Sequence, residues 1–369
     1  PPRLALHGLV IQMFVTGCHR SGTSLLSSLM HGLVTGQDPR QRRGDLELKL
    51  ENPMGFFESE RLVEINDCLL QELGCQWDRP PLLPARWDQS PLLDGLQLQR
   101  RKLGTYALEH AWVDKDPRLC ITYPAYLHIL LRRIPLVVAL RDPLAVATSL
   151  YFRNGFSLNH GLVLWWIYNH HIAAQLCSKD LLVPYSSLLS FDDQAFQQLL
   201  GPFLEVHNHQ RPSNELAGAL FESLLKPEFN RAESALNPES RARIHPLLLN
   251  ICEHAYNSII ESSDQLTSFQ EHFNSLPRAV LECSARDQLI PEADLSLLHH
   301  RLCNIESEMR NAGSSLEQRD RDCELLQYQL NDLRNSRSWK ITAPLRAIGD
   351  FVRDKSPKPN AAAADENMR

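Results

Sequence analysis

The segment Gly17-Cys18-His19-Arg20-Ser21-Gly22-Thr23-Ser24 constrains this chain more than any other. It follows a short apolar, β-branched run, Gly8 to Val15, and leads into a pattern that places Leu25, Leu26, Leu29 and Met30 on one helical face. The reading is strand, tight turn, helix. The first N–H groups of a helix have no internal partner, and the helix dipole favours negative charge there. Gly17 and Gly22 let the backbone curl closely around an anion. Arg20 adds positive charge and a bidentate fork, and Ser21, Thr23 and Ser24 add hydroxyl donors, with His19 in the same turn. The Walker pattern GxxxxGK[ST] needs a lysine before the hydroxyl residue, whereas Gly22 is followed directly by Thr23. That spacing argues against an ATPase or kinase. A hydroxyl-capped helix start would use some of the same residues, so the neighbours of the loop decide.

Further strands are expected at Ala111 to Asp114, Ile134 to Leu140 and Leu181 to Tyr185, with helical patterns between them, notably Leu162 to Cys177. Strands alternating with helices imply an α/β fold, three-layer α/β/α, with a central parallel sheet covered on both faces. Trp77 to Trp87 contains Pro80, Pro81 and Pro84 and reads as a loop, packed on the surface or shaping a binding site. The expected organisation is a catalytic domain over 1–280, a linker over 281–291, a long helix over 292–336 and a tail over 337–369. In the long helix, Leu295, Leu298, Leu302, Ile305, Met309 and Ala312 recur in alternating steps of three and four, and the pattern runs on to Leu333. That period is a coiled-coil seam, which would allow a homodimer, or an amphipathic arm folded back on the core. From Ser356 onward the chain reads as disordered.

The formal net charge of −6 excludes the broad basic footprint of a nucleic-acid binder. An anionic ligand must therefore be held by a local basic site. The 9 cysteines form no CxxC pair, which fits free thiols better than a disulfide framework and leaves no metal-ligand spacing. No apolar run is long enough to span a membrane, and no signal-peptide layout is present. The expectation is a cytoplasmic enzyme that uses no metal.

The strand Ile134 to Leu140 ends in Arg141-Asp142-Pro143, with Ser149 in the following helix. A cation at a strand's carboxyl end and a hydroxyl on the adjoining helix make a second anion pocket at the usual ligand edge of an α/β sheet. The strand–RSGTS–helix unit resembles the 5′-phosphosulfate loop of the sulfotransferases that use 3′-phosphoadenosine 5′-phosphosulfate (PAPS), in their bacterial and Golgi-type branch. Arg141 and Ser149 resemble the family's 3′-phosphate-binding pair. Asn52-Pro53-Met54-Gly55-Phe56-Phe57-Glu58 is similar to its Asn-Pro-x-Gly-aromatic-aromatic-Glu motif, and Lys115-Asp116-Pro117 to its Lys-Asp-Pro motif. Tyr185 to Leu200 is similar to its Tyr-x-x-Leu strand end and subsequent helix, and Lys226 to Arg231 to a basic segment that closes over the nucleotide. These motifs run in order over roughly residues 9 to 235, a coincidence that chance rarely produces.

The resemblance implies PAPS as co-substrate, held by Gly17, His19, Arg20, Ser21, Gly22, Thr23, Ser24, Arg141, Ser149 and Arg231. It implies Glu58 as general base, with Lys115 and Arg20 stabilising the transferring group and the leaving phosphate. On the residues alone, Glu51, Asp45 and His19 compete with Glu58 for the base. No Tyr-Pro-Lys precedes the loop and no late Arg-Lys-Gly follows, unlike the steroid and phenol branch, so a glycan, glycolipid or other hydroxyl acceptor is expected. Ser338 to Arg346 resembles a short motif of bacterial surface-polysaccharide glycosyltransferases, and with Ile348, Phe351, Val352 and Arg353 it reads as a segment for a membrane surface, a partner or its own chain. His170-His171 and Arg132-Arg133 read as solvated pairs, and Trp165 and Trp166 as buried against the sheet. Two other classes compete: a P-loop kinase-like phosphotransferase and a non-catalytic coiled-coil scaffold.

Overall fold

Short apolar runs with few polar interruptions become strands buried on both faces, as parallel sheets require. In the structure, a computed structural model, these are β1 (Met13–Thr16), β2 (Val113–Lys115), β3 (Leu136–Leu140) and β4 (Leu181–Pro184). They form one parallel sheet in the order β2-β1-β3-β4. The structure describes residues 13–35, 58–88, 113–189, 193–207 and 238–287, with parts of 92–100. The chain divides into two units at Leu295 and Ser296, and every described residue falls in the first.

The helices that position the site are α1 (Thr23–Thr35), α2 (Glu60–Glu72), α3 (Leu119–Leu130), α4 (Pro143–Asn154) and α5 (Leu158–Ala173). Then follow α6 (Tyr185–Leu189), α7 (Asp193–Val206), α8 (Pro238–Ala242), α9 (Pro246–Glu261), α10 (Gln265–His272) and α11 (Arg278–Arg286). Alternation along β1 sorts the two faces. Met13 and Val15 pack with Leu26, Leu29 and Met30 of α1 and with Phe203 and Leu204 of α7. Phe14 points the other way, with its ring centroid 5.4 Å from Tyr126 and 6.4 Å from Tyr123 of α3. Helices therefore cover both faces, giving the expected α/β/α layers. The coiled-coil segment and the tail lie outside the described residues.

Helix α5 is apolar nearly all round, and 15 of its residues from Leu158 to Ala173 are buried, all but Asn159. Gly161 lets it approach α4 closely, because a Cβ there would sit 2.6 Å from Ala147 Cα. The polar groups of α5 satisfy carbonyls of irregular segments that have no ladder partner. His160 Nε2 donates to Asp78 O at 2.8 Å, the Tyr168 hydroxyl to Trp77 O at 2.7 Å, and His171 Nε2 to Pro81 O at 2.7 Å. The proline-rich loop is thus packed, with Trp87 only 1% exposed.

The histidine pair of α5 is not solvated. His170 and His171 are buried, not solvated, because one bonds Phe273 O and the other Pro81 O. Arg132 and Arg133 are exposed at the end of α3, as expected, and Arg133 also pairs with the buried carboxylate of Asp180, which accepts the N–H groups of Leu136 and Cys177 at 2.9 and 2.8 Å. Trp165 and Trp166 are buried as expected, packed on Phe273. Helix α11 crosses position 280, so 281–286 are helical.

Candidate active site

The loop between β1 and α1 owes its shape to close backbone approach. Gly17 has φ +141°, and a Cβ on it would lie 2.4 Å from the carbonyl oxygen of Ala139 in β3. Gly22 has φ +88°, and a Cβ there would lie 2.3 Å from the Tyr185 ring. Neither position admits a side chain. The turn closes with Ser21 N–H donating to Cys18 O at 3.1 Å, and α1 begins with Leu26 N–H on Gly22 O. Arg20 sits between the glycines in the left-handed region, at φ 70°. Such a conformation costs a non-glycine residue roughly 1–3 kcal/mol and persists only where surrounding contacts hold it.

Those contacts come from the second cationic element. Arg20 Nε donates to Ser149 Oγ at 2.8 Å, and Arg141 Nη1 donates to the Arg20 carbonyl at 3.1 Å. Arg141 is in turn fixed twice: its guanidinium lies 4.4 Å from the Tyr185 ring centroid, and its carbonyl accepts the Trp165 indole N–H at 2.9 Å. Asp142 accepts the Ala145 N–H at 2.7 Å and Pro143 occupies the first turn, so Arg-Asp-Pro also serves as a helix start for α4. The two anion elements expected from sequence are therefore one connected cluster at the carboxyl ends of β1 and β3.

At the end of β2, Lys115 is 2% exposed and forms a buried ion pair with Glu58, itself 9% exposed. Beneath them lies a polar network. Asp116 accepts from Asn66 Nδ2 at 2.9 Å and from Arg118 Nη1 at 3.1 Å, while Arg118 Nε lies 2.7 Å from Asp67 Oδ1. Thr122 and Tyr126 both donate to Asn66 Oδ1, at 2.7 and 2.8 Å. A buried charge needs such partners. This network fixes the strand end that presents Lys115.

His19 lies in the loop against two rings, with Trp77 at 4.5 Å and Tyr168 at 5.3 Å. Its Nε2 is buried and without a hydrogen-bond partner. Burial, followed by the neighbouring charges of Arg118, Lys115, Arg153 and Arg20, pushes its pKa well below the usual histidine range. The ring is neutral near pH 7. Burial also raises the Cys18 and Cys120 thiols, to about 12 for Cys120, which makes both poor nucleophiles.

The structure thus brings together Gly17, His19, Arg20, Ser21, Gly22, Thr23, Ser24, Arg141 and Ser149 at one sheet edge, and it pairs Glu58 with Lys115. Arg231, the motif residues 52–57, Asp45 and Glu51 lie outside the described residues. Sequence reading gave no role to Asn66, Arg118 or the Tyr185 ring. Two of them carried a signal, Tyr185 as the first residue after β4 and Arg118 as the residue that follows Lys115-Asp116-Pro117. Among the described residues no group of side chains could hold a metal, the seven described cysteines are free, and no helix is long and apolar enough to cross a membrane.

No protein-family model matches the chain, and no curated protein matches it. Among solved structures, one similar chain is a sulfotransferase domain from the Synechococcus PCC 7002 olefin synthase, with 16% identity and a TM-score of 0.35 over 73% of this chain and 97% of that one. Another is a sulfotransferase domain from the curacin biosynthetic pathway, with 13% identity and a TM-score of 0.31 over 76% of this chain and 98% of that one.

Proposed function

We propose that this chain transfers a sulfo group from PAPS to an acceptor hydroxyl. One observation carries the reading: the phosphate loop and the strand-end arginine share a hydrogen-bonded cluster, Arg141 to Arg20 to Ser149, on the ligand edge of a parallel sheet. A donor with phosphate on both the 5′ and 3′ positions needs more cationic contact than one phosphate loop supplies. The loop fits a phosphate because Gly17 and Gly22 leave the backbone N–H groups uncovered by any Cβ. Arg141 and Ser149 would take the 3′-phosphate, and the loop amides with Arg20 the 5′-phosphosulfate.

In the transfer, the bond between sulfur and the 5′-phosphate oxygen breaks, and a bond between sulfur and the acceptor oxygen forms. Adenosine 3′,5′-bisphosphate leaves, and the acceptor proton passes to a base. Glu58 is that base and Lys115 offsets negative charge on the transferring group, a division consistent with their ion pair. Positioning supplies most of the acceleration.

The test is turnover with labelled PAPS and a panel of hydroxyl acceptors, with ATP as the competing donor. Sulfated product from PAPS and none from ATP supports the reading. Glu58→Gln should lower kcat about a hundredfold or more, within the range for a positioned proton acceptor, while leaving donor affinity nearly intact. Phosphorylated product from ATP would replace the proposal by a phosphotransferase.

A further inference from the structure

Beyond the Trp77 ring from the phosphate loop lies a cavity of about 580 Å³, within the size range of small-molecule sites. It opens where α4 ends at Gly155 and α5 begins at Ser157, two turns beyond Ser149. A row of rings leads into it from the loop. Trp77 packs on His19 at 4.5 Å, Phe156 on Trp77 at 5.7 Å, and His160 stacks on Phe156 at 4.3 Å, with an interplanar angle of 23°. Phe156, His160 and Tyr151 give the cavity an aromatic side.

Charge in the lining comes from three segments distant in sequence. Arg79, Arg243 and Arg286 all line the cavity, and none of the three makes a side-chain ion pair among the described residues. Two carboxylates, Asp78 and Asp287, also line it. Asp287 accepts weakly from Ser157 Oγ at 3.5 Å, and Asp78 has a buried Oδ1 with no partner. His160 adds no charge, because burial lowers its pKa, and its Nε2–H is already committed to Asp78 O. Three cations against two anions leave an excess of positive charge, and the Asp78 oxygen leaves one unmet acceptor. The walls are tied across the cavity by Asn159, which donates to Arg243 O at 3.3 Å and accepts from His245 N–H at 2.8 Å. The backbone that presents Arg243 is therefore braced against α5.

We infer that this cavity receives the acceptor, and that the acceptor is an anionic hydroxyl compound with an apolar body. Its carboxylate or phosphate meets Arg79, Arg243 and Arg286, its apolar part lies on Phe156 and Tyr151, and its hydroxyl reaches along the ring row towards His19 and the Glu58–Lys115 pair. This assignment rests on the sulfotransfer reading for the word acceptor, while the anion selectivity of the cavity stands or falls by itself.

Calorimetry on the full chain separates the two. Three probes share one ring and hydroxyl: 4-hydroxyphenylacetate, 4-hydroxybenzylphosphonate and the neutral 4-hydroxyphenethyl alcohol. Each is titrated with and without saturating adenosine 3′,5′-bisphosphate. The expected result is that at least one anionic probe binds about tenfold or more tightly than the alcohol, and that the nucleotide does not displace it. Which anion binds more tightly identifies the headgroup. Arg243→Gln with Arg286→Gln should reduce that probe to the affinity of the alcohol, at unchanged melting temperature and unchanged nucleotide affinity. Equal binding of acid and alcohol, or no binding, overturns the inference. Displacement by the nucleotide also overturns it, by giving the arginines to the donor. If the nucleotide fails to bind while the acid preference holds, the sulfotransfer reading falls and the anion site remains.

Discussion

The two sides of the candidate site are held in place by different physics. On the loop side, position is set by backbone contact: Gly17 touches Ala139 of β3, Gly22 touches the Tyr185 ring, and the cationic side chains follow from those strand ends. On the cavity side, position is set by hydrogen bonds from side chains of α5 to the carbonyls of an irregular loop, through His160, Tyr168 and His171. Steric contact does not titrate. Buried imidazoles do, because burial disfavours their charged form. The loop side should therefore fail abruptly when atoms are added, and the cavity side gradually as protons are added.

The largest expected effect tests the steric half. Gly17→Ala forces a side chain onto a positive φ and into a carbonyl 2.4 Å away. Strain and overpacking together should cost on the order of 3 kcal/mol or more. Chemical denaturation should show that loss, and calorimetry should show nucleotide binding abolished. A variant with native stability and affinity would break the contrast.

Next in size is Arg141→Ala, which removes the donor to the Arg20 carbonyl and the cation over Tyr185. Hydrogen bonds to charged groups contribute about 1.5–3 kcal/mol, so affinity for adenosine 3′,5′-bisphosphate should fall roughly ten- to hundredfold. Turnover at saturating donor should change less. A fall in kcat with no change in donor affinity would assign Arg141 to the chemistry instead.

The cavity side is sharpened by pH. His171 is buried and neutral, with its pKa lowered to about 4 from 6.5, first by burial. Between those values the unfolded chain binds a proton that the folded chain does not, so stability falls as pH drops from about 6.5 towards about 4. His19, His160 and His170 are shifted in the same direction. Melting temperature should decline over this window, with a shallower slope in His171→Gln, which keeps a donor for Pro81 O. An unchanged slope would remove His171 from the account. The smallest effect belongs to the exposed Arg278–Glu282 pair, where Arg278→Ala should cost no more than about 0.5 kcal/mol by denaturation.

Much of the loop side was legible in the sequence. Met13 to Val15 and Leu136 to Leu140 are continuous apolar runs, and the glycines that bracket Cys18 to Ser21 demand a tight turn whatever the fold. The helix start at Asp142-Pro143 was equally local. What was not legible depends on meetings between distant segments. The Arg20–Ser149 hydrogen bond joins residues 129 apart, and nothing in either neighbourhood encodes it. The histidines of α5 look like a solvated pair because adjacent residues occupy different helical faces. In a helix buried all round, both faces are interior, and only the carbonyls of Pro81 and Phe273 reveal why imidazoles stand there. Glu58 and Lys115 were each singled out by local motifs, but their pairing appears only when β2 is set beside the start of α2.

Calorimetric titration of the folded chain with adenosine 3′,5′-bisphosphate tests the central claim most directly, that one linked cluster of Arg20, Arg141 and Ser149 holds a doubly phosphorylated nucleotide. Binding should be saturable, markedly weakened in Arg141→Ala and stronger than that of adenosine 5′-monophosphate. Absence of heat from wild-type protein with a normal melting transition, or equal affinity for the two nucleotides, would contradict it.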